Sequence, residues 1–290
     1  MERLFGRISV DDSLVEKTTT IAKTIQKACE IDEEAAIASI FVGLEGRYPV
    51  VHPIQTAVLC EIVAKHFGRP EDERQLLVAA AITMNISMVN LQNKLHMQKE
   101  PLTEAQQQEL NKHPQESCDL LKQKGVTDPV WLNAVLQHHE RVDGSGYAQG
   151  LSGAAIIPAA RLIKLADVYC SLVTGRAYRP AMLQNLAMRE VFLQRGKQID
   201  PVMTDQFVKV VGIYPPGTFL RLMNGEIAMA TRRGKTSALP MVQSVAGPRG
   251  APLSVYIKRD CSQEKFAIRE AISKEDACIK VNRYALWGHQ

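Results

Sequence analysis

The change in residue pattern near Gly212 most constrains the fold of this chain. Before it, apolar residues recur at three- and four-residue steps, as at Ile21, Ile25 and Ala28, which is the period of an amphipathic helix. After it, glycine and proline divide the chain into short runs such as Thr218 to Leu222, which are typical of strands and turns. The sequence therefore predicts a mainly α fold with a small β-containing extension at the C-terminus.

Local signals divide the chain further. Three parts are predicted: an N-terminal helical segment 1–45, a helical domain 46–211 and a C-terminal β-containing extension 212–290. Within the helical domain, Thr103 is a good N-cap and predicts a polar helix that reaches Leu110. His113 and Pro114 come next, and a separate helix is predicted after them because proline disfavours a helix interior.

Composition excludes several classes of protein. With 46% hydrophobic and 23% charged residues, the chain has the make-up of a globular protein, neither fibrous nor disordered. A net charge of +4 is too small to indicate nucleic-acid binding. The longest apolar runs, such as Leu76 to Ile82, are much shorter than the roughly 20 residues of a membrane span. The first residues also lack a secretory signal, so we expect a cytoplasmic protein with no membrane segment.

The cysteines are spread along the chain and form no Cys-x-x-Cys pair, which argues against a zinc or redox site built from them. We expect all of them to be small buried side chains. They are Cys29, Cys60, Cys118, Cys170, Cys261 and Cys278.

The strongest local motif is the string from His138 to Tyr147, which reads His-His-Glu-Arg-Val-Asp-Gly-Ser-Gly-Tyr. Adjacent side chains on a helix diverge by about 100°, so His138 and His139 can serve one site only where a helix ends. The glycine-rich stretch 143–153 supplies such an end, because small residues do not hold a helix.

This string resembles the hallmark of the HD-GYP family, metal-dependent phosphodiesterases of the HD superfamily that hydrolyse cyclic di-GMP, with Ala148 in place of the family's proline. The resemblance extends over roughly residues 50–232. It implies metal ligands at His52, His113, His138, His139 and Asp167. It also implies nucleotide contacts at Arg176, Tyr178 and Arg179, and a loop that contacts partners such as diguanylate cyclases at Asp143, Gly144, Gly146 and Tyr147.

One match fails where the family carries its His-Asp pair and a nearby lysine, because Met84, Asn85 and Met88 stand there. In the family the aspartate bridges two metal ions that activate water, and the neutral amide of Asn85 is a poor bridge between dications. The thioether of Met84 suits softer metals, and Met88 removes an ammonium that would stabilise a phosphate. Tyr48 also replaces a glutamate that some members use for a third metal.

The remaining histidines, His113, His138 and His139, offer three neutral nitrogens to one divalent ion, such as iron, manganese, zinc or nickel. We therefore expect at most one metal, and neither a second nor a third. His52 and Asp167 are too few to hold another ion by themselves.

These features support three hypotheses. The leading one is a degenerate HD-GYP-like signalling protein that lacks efficient cyclic di-GMP hydrolysis and binds a nucleotide, a partner protein or both. The alternative is an active metal-dependent phosphodiesterase or other phosphohydrolase with a reduced metal site. The third is an interaction scaffold whose pocket has collapsed.

Several charged or titratable residues also have simpler interpretations. His66, His96 and His289 have no partners at ligand spacing and are expected to be ordinary hydrogen-bonding residues. Arg176 and Arg179 are either phosphate contacts or surface charges at a helix boundary. The basic cluster of Arg232, Arg233 and Lys235 is predicted to be a solvated turn.

Overall fold

The computed structural model describes residues 13–44 and 46–288. Part of the predicted N-terminal segment, residues 1–12 and Glu45, lies outside this range, as does His289. The first part of the chain is helical, with α1 (Leu14–Ile31), α2 (Glu33–Val42), α3 (Tyr48–His66), α4 (Glu71–Thr83), α5 (Val89–Met97), α6 (Glu104–Gln123), α7 (Pro129–Gln137), α8 (Pro158–Val173), α9 (Gln184–Leu193) and α10 (Pro201–Val211). A single turn of 3-10 helix, Ile86–Met88, joins α4 to α5.

Side-chain caps begin several of these helices. The hydroxyl of Thr103 accepts from the backbone N–H of Gln106, and the Gln106 side chain accepts from the backbone of Thr103, which confirms the predicted start of α6. Asp32 and Asp128 cap α2 and α7 in the same manner, with carboxylates that accept from backbone N–H groups of the first turn. The starts of α2, α6 and α7 are thus encoded locally.

The predicted break at Pro114 is wrong, because α6 continues through it from Glu104 to Gln123. Proline has no N–H, so the carbonyl of Leu110, four residues earlier, loses its helical partner. The Nδ1 of His113 donates to that carbonyl over 2.5 Å. The side chain of His113 thereby restores the hydrogen bond that Pro114 removes from the helix.

α3 lies at the centre of the helical core. It packs against α4 and α8 as well as α1, α2 and α10. Its side chains are buried on nearly every face, and large apolar groups such as Leu59 and Ile62 are fully enclosed. A helix surrounded in this way fixes the position of every residue it carries, including His52.

The C-terminal part contains strands, as the sequence predicts, and they form an antiparallel sheet. Its strands are β1 (Phe219–Leu222), β2 (Ile227–Thr236), β3 (Leu239–Ala246), β4 (Pro252–Arg259) and β5 (Ile268–Ile272), in the order β4-β3-β2-β1-β5. Two short helices, α11 (Lys274–Ala277) and α12 (Arg283–Trp287), follow β5. Trp287 and Ala38 of α2 lie in one apolar cluster with the sheet, and the indole N–H of Trp287 donates to Thr231.

A group of ion pairs, called here the charge bridge, joins β2 to the start of α2. Arg232 pairs with Asp32 over 3.2 Å, and Arg233 pairs with Glu33 and Glu34 over 2.6 and 2.8 Å. The prediction of a solvated turn is therefore wrong for both arginines. They are residues of a strand, and the acidic N-terminus of α2 neutralises them.

The prediction for the cysteines holds with one exception. Cys278 is exposed, whereas the other five cysteines are buried. It follows α11 with a positive φ of 51°, which ends that helix at the surface.

In the described part of the chain, one stretch, Glu71–Met97, is long and apolar enough to cross a membrane. However, 72% of its apolar window is buried inside the fold, as in an ordinary core helix. Such a stretch is weak evidence for a membrane span.

Candidate metal centre

Three histidines meet where α6 passes the end of α7. His113 lies within α6, and His138 and His139 follow the last residue of α7, where the helix ends as expected. The ligand nitrogens all lie within 4.8 Å of one another, and the Nε2 atoms of His113 and His138 are 3.2 Å apart. Among residues 13–44 and 46–288, this is the one group of three or more histidine, cysteine or acidic side chains placed to share an ion.

Backbone carbonyls orient two of these rings. The Nδ1 of His113 donates to Leu110, and the Nδ1 of His138 donates to Val135 over 2.6 Å, a carbonyl in the last turn of α7. A neutral imidazole carries one proton, so these bonds place it on Nδ1 and leave a lone pair on each Nε2. The two lone pairs therefore face each other.

The three rings are neutral at ordinary pH. Burial lowers the pKa of His113 to about 3 and that of His138 to about 4, and charge on His138 would lower the pKa of His113 further. Burial likewise lowers the pKa of His139 well below its usual value. Neutral nitrogens are the form that binds metal, so protons do not compete for the site near pH 7.

The geometry fits a metal ion. Two imidazole nitrogens bound tetrahedrally to zinc at about 2.05 Å lie about 3.3 Å apart, close to the 3.2 Å between His113 and His138. A histidine that binds a metal through one ring nitrogen usually donates a hydrogen bond from the other, as Nδ1 of His113 and His138 does here. The three histidines can therefore hold one ion with little rearrangement.

His52 and Asp167, two other predicted ligands, form a separate pair. The Nε2 of His52 in α3 donates to Asp167 in α8 over 2.7 Å, and both side chains are largely buried. Burial by itself raises the pKa of Asp167, but the hydrogen bond and charge of His52, with the charge of Lys164, lower it well below its ordinary value. Asp167 is therefore ionised, and it is already engaged by His52.

A cavity of about 220 Å³ adjoins the histidines. It is lined by Tyr48, His52, Asn85, Met88, Gln92, Leu95, His96, Leu110, His139, Asp167, Ser171 and Arg176. Asn85 and Met88, two positions where the sequence departs from the HD-GYP pattern, thus border the site. Met84, the third, is fully buried within the apolar core of the helices.

The cavity concentrates polar atoms that lack partners. Eleven buried side-chain nitrogen and oxygen atoms of the described residues make no hydrogen bond, and five of them belong to residues that line this cavity. These atoms are Nδ1 of His52, Oδ1 of Asn85, Oε1 of Gln92, Nδ1 of His96 and Nε of Arg176. Because buried polar groups are normally paired, this concentration distinguishes the cavity from the rest of the described fold.

Arg176, one of the predicted nucleotide residues, contacts Tyr48 at the cavity. The ring of Tyr48 stacks between His52 and His96, with centroid distances of 4.9 and 4.8 Å. Arg176 donates to the hydroxyls of Tyr48 and Tyr178 over 2.7 and 3.0 Å. Arg176 thus faces the cavity and Tyr178 is exposed.

Arg179 occupies a different setting from Arg176. Its Nη2 donates to the backbone carbonyl of Ser171, and its Nε is buried without a partner. The backbones of the two arginines pair with each other across the turn. Neither is a free surface charge, since each guanidinium is held by other groups.

The glycine-rich loop folds back over the histidines. The carboxylate of Glu140 accepts from the backbone N–H groups of Gln149 and Leu151 over 2.6 and 3.0 Å, and the ring of Tyr147 stacks on His139 at 4.7 Å. Gly146 is required here, because a Cβ atom would lie 2.5 Å from the backbone of Glu140.

The outer part of the same loop faces solvent. Asp143 is exposed and accepts from the backbone and hydroxyl of Ser145 over 2.9 and 2.7 Å, while Gly144 has a φ of +80° that favours glycine. Of the predicted partner residues, Asp143 is therefore accessible, whereas Tyr147 belongs to the metal centre.

Sequence reasoning missed three residues of the site. Lys164 lies one helical turn before Asp167 and is 9% exposed; burial lowers its pKa and the charge of Asp167 opposes that shift. Its position within the apolar run from Leu162 to Ala166 was the available signal. Glu140 lies in the string that starts at His138, but its bonds to the backbone of Gln149 and Leu151 were not predicted. His96 gave no signal, because its stacking partner Tyr48 is distant in sequence.

Comparison with known proteins identifies the family of the chain. Residues 19–203, more than half of the chain, match the family model described as HD domain. The chain is 31% identical over 149 residues to the cyclic di-GMP phosphodiesterase response regulator RpfG of Xanthomonas campestris pv. campestris, covering 51% of this chain and 39% of that protein. It is 25% identical over 210 residues to a cyclic di-GMP phosphodiesterase of Pseudomonas aeruginosa, covering 72% and 50%. The chain thus spans half or less of the length of these relatives.

A solved structure has the same fold. The HDG"Y"P protein of Bdellovibrio bacteriovorus superposes with a TM-score of 0.60 at 17% identity, covering 71% of this chain and 66% of that one. Together with the named relatives, this match confirms the resemblance inferred from the His138 to Tyr147 string.

Proposed function

Since the chain belongs to the HD domain family, we propose that it is a signalling protein that binds a cyclic dinucleotide, a partner protein or both, with little hydrolysis of cyclic di-GMP. The relatives that it matches are named as cyclic di-GMP phosphodiesterases. Their names suggest the ligand class, and the altered residues of the site suggest the loss of turnover.

The observation that carries this proposal is the neutral side chain of Asn85 at the cavity. Two dications held a few ångströms apart repel strongly at low dielectric, and a bridging carboxylate normally offsets that repulsion. Asp167 is the one carboxylate that lines the cavity, and His52 already engages it. Binuclear activation of water therefore lacks its electrostatic support.

One metal ion is part of the proposal, held by His113, His138 and His139. When bound, it would polarise a phosphoryl oxygen as a Lewis acid. The Nδ1 bonds of His113 and His138 keep those rings aligned, and Tyr147 shields His139 from solvent. Arg176, with its guanidinium at the cavity, is the proposed nucleotide contact, and Tyr178 and Arg179 hold the turn that carries it.

The loop 143–147 is the proposed contact for partner proteins, of diguanylate cyclase type or other. Its support is the exposure of Asp143 and Ser145 beside the metal centre. Tyr147 contributes indirectly, because its stack on His139 links the loop to the occupancy of the site.

A second candidate function is slow hydrolysis with one metal. The observation in its favour is the preformed set of three neutral nitrogens, which leaves a position of the ion open to substrate or water. Activity of this kind would depend on a bound ion and disappear in His138→Ala. An interaction scaffold without ligand, in contrast, would bind neither metal nor nucleotide.

The test combines metal analysis, nucleotide binding and turnover. Wild-type protein supplied with manganese or iron is expected to hold one ion per chain, bind cyclic di-GMP and produce neither linear dinucleotide nor GMP. Turnover of about one per second or faster, with two ions bound, would contradict the proposal.

A gain-of-function variant sharpens this test. Asn85→Asp returns a carboxylate to the cavity, and it is expected to raise both the metal content and the turnover. Asn90→Asp is the matched control, because it adds the same charge at an exposed position of α5. Equal metal content in both variants would argue against the role given to Asn85.

A further inference from the structure

The outer face of α9 carries two exposed leucines. Leu186 and Leu193 are 43% and 56% exposed, although the outer side of a helix on a globular protein is normally polar. The opposite face, with Ala187, Met188 and Val191, is buried where α9 packs against α8 and α10. α9 is therefore apolar on two sides, and only one of these sides belongs to the core.

Two opposite charges lie between the leucines. Successive residues of a helix turn by about 100°, which places Leu186, Arg189, Glu190 and Leu193 in one stripe about 100° wide. Arg189 and Glu190 are neighbours in sequence, so they diverge and do not face each other. Within residues 13–44 and 46–288, neither side chain has an ion-pair or hydrogen-bond partner. The stripe thus has apolar ends and an unneutralised pair of charges at its centre.

This stripe is complementary to itself. When two copies of α9 lie antiparallel about a two-fold axis that passes between Arg189 and Glu190, each side chain meets the one at equal distance beyond the axis. Leu186 then meets Leu193 of the second copy, and Arg189 meets Glu190 of the second copy. Both contacts occur twice. The spacing of seven residues between the leucines is also the repeat with which two helices pack side by side.

We propose that the outer face of α9 is the interface of a dimer of this chain, with the two helices antiparallel and paired in this register. α9 has ten residues and is about 15 Å long, so the contact is at the low end of specific interfaces, below about 1,200 Å². The dimer is therefore reversible, with a dissociation constant of about 10–100 µM. It requires neither nucleotide nor metal, so failure of the proposed function would leave it intact.

Sedimentation velocity of the whole chain tests the association. Between about 1 and 500 µM, the wild-type protein is expected to change from monomer to mostly dimer. Leu193→Glu sets a carboxylate against Leu186 of the second copy in both contacts, and it is expected to weaken dimerisation by about tenfold or more. A wild-type chain that stays monomeric at every concentration would overturn the interface.

Charge reversal tests the register. Arg189→Glu opposes two carboxylates across the axis, and Glu190→Arg opposes two guanidinium groups, so each is expected to weaken dimerisation by about tenfold or more. The two substitutions together restore opposite charges, and this double variant is expected to dimerise within about threefold of the wild type. Lys27→Glu makes the same change of charge at an exposed position of α1, and as the matched control it should dimerise like the wild type.

Two results with the variants would contradict the interface. Dimerisation that survives Leu193→Glu and both single charge reversals would place the contact on another surface of the chain. A double variant that stays monomeric, while it unfolds at the wild-type temperature, would show that the antiparallel register is wrong. Thermal unfolding checks the fold of every variant, and Leu186→Glu replaces Leu193→Glu if the latter is unstable.

Discussion

Two imidazoles of the metal centre owe their orientation to carbonyl groups that helix geometry leaves free. Pro114 frees the carbonyl of Leu110 inside α6, and the end of α7 frees the carbonyl of Val135. His113 and His138 bond to these carbonyls, each three residues before the histidine. A proline that weakens a helix therefore helps to direct a metal ligand.

Replacing this proline is expected to lower the affinity for metal and to raise the stability of the fold. In Pro114→Ala the restored N–H competes for the Leu110 carbonyl, so the His113 ring loses its fixed orientation and affinity for zinc falls by about 10–100-fold. The free energy of unfolding is expected to rise by about 1–2 kcal/mol, since proline disfavours a helix interior by about 3 kcal/mol and the His113 bond offsets about 1. Chelator competition and urea unfolding measure the two effects.

Pro53→Ala provides the control for this substitution. Pro53 also follows a histidine inside a helix, but Nδ1 of His52 makes no hydrogen bond. Stability is expected to rise in this variant without a change in zinc affinity. Equal losses of affinity in both variants would show that His113 is not held in place by its bond to Leu110.

Acid is expected to destabilise the metal-free protein. Unfolded histidines take up a proton near pH 6.5, whereas His113 and His138 in the fold do so only near pH 3 and 4. Between those values the unfolded chain binds more protons, so stability falls as the pH falls, by up to about 1.4 kcal/mol per pH unit for each histidine. Urea unfolding at pH 7, 6 and 5 measures the slope, which His113→Gln should reduce. A slope of opposite sign would contradict the buried neutral state.

Individual residues of the site were predictable where a motif carried them. The pairing of His138 with His139 at a helix end follows from the glycines after them, and the structure brings His113 to the same point. The engagement of Asp167 by His52 was not predictable, because it depends on how α3 packs against α8. Spacing along the chain identifies candidate ligands and does not determine which of them bind one another.

At the level of elements, β2 is a strand of the sheet that also makes an electrostatic contact with α2. The charge bridge places Arg232 and Arg233 against the three acids that begin α2. Acidic residues at the N-terminus of a helix are already stabilised by the helix dipole. The arginines stabilise the acids of α2 further by neutralising their charge. The bridge thus fixes α2 relative to the sheet.

Removing the more buried arginine is expected to weaken this contact. Arg233→Ala removes the guanidinium from Glu33 and Glu34, which keep the His66 ring and a backbone N–H as partners, so the free energy of unfolding is expected to fall by about 1–3 kcal/mol. The loss should shrink in high salt, which screens the remaining acids. Urea unfolding at two salt concentrations measures both effects. Lys235→Ala, at an exposed position of the same strand, should change stability by less than about 0.5 kcal/mol.

The elements themselves were largely readable from the sequence. The start of α6 follows from Thr103, and the strand β1 follows from the run Thr218 to Leu222. The continuation of α6 through Pro114 was missed, because the replacement bond comes from a side chain. The ion pairs of β2 were missed because their partners lie about 200 positions away in the chain.

In the whole molecule, α2 joins two apolar clusters. Ile37 and Ile40 pack into the helical core, whereas Ala38 packs with the sheet and Trp287. Gly217, with a φ of +94°, lets the chain approach Ala38 where a Cβ atom would lie 3.0 Å from its carbonyl oxygen. A helix shared in this way couples the two clusters.

The two tryptophans report on the two clusters separately. Trp131 lies in the helical core and donates to Thr83, while Trp287 packs on the sheet. Because α2 and the charge bridge couple the clusters, Trp131→Phe and Trp287→Phe are expected to give coincident urea transitions by fluorescence. In the Arg233→Ala background, the sheet signal should change first. If the two single-tryptophan proteins show separate transitions even with Arg233 intact, the sheet unfolds independently of the helical core.

The opposed lone pairs of His113 and His138 have a practical consequence for handling the protein. A pocket already arranged for a cation should scavenge trace ions, and among first-row metals nickel and copper bind nitrogen more strongly than manganese or iron. Protein purified on an immobilised-nickel column is therefore expected to carry bound nickel. Stripping with a chelator, followed by dialysis, has to precede any assay in which the identity of the ion matters.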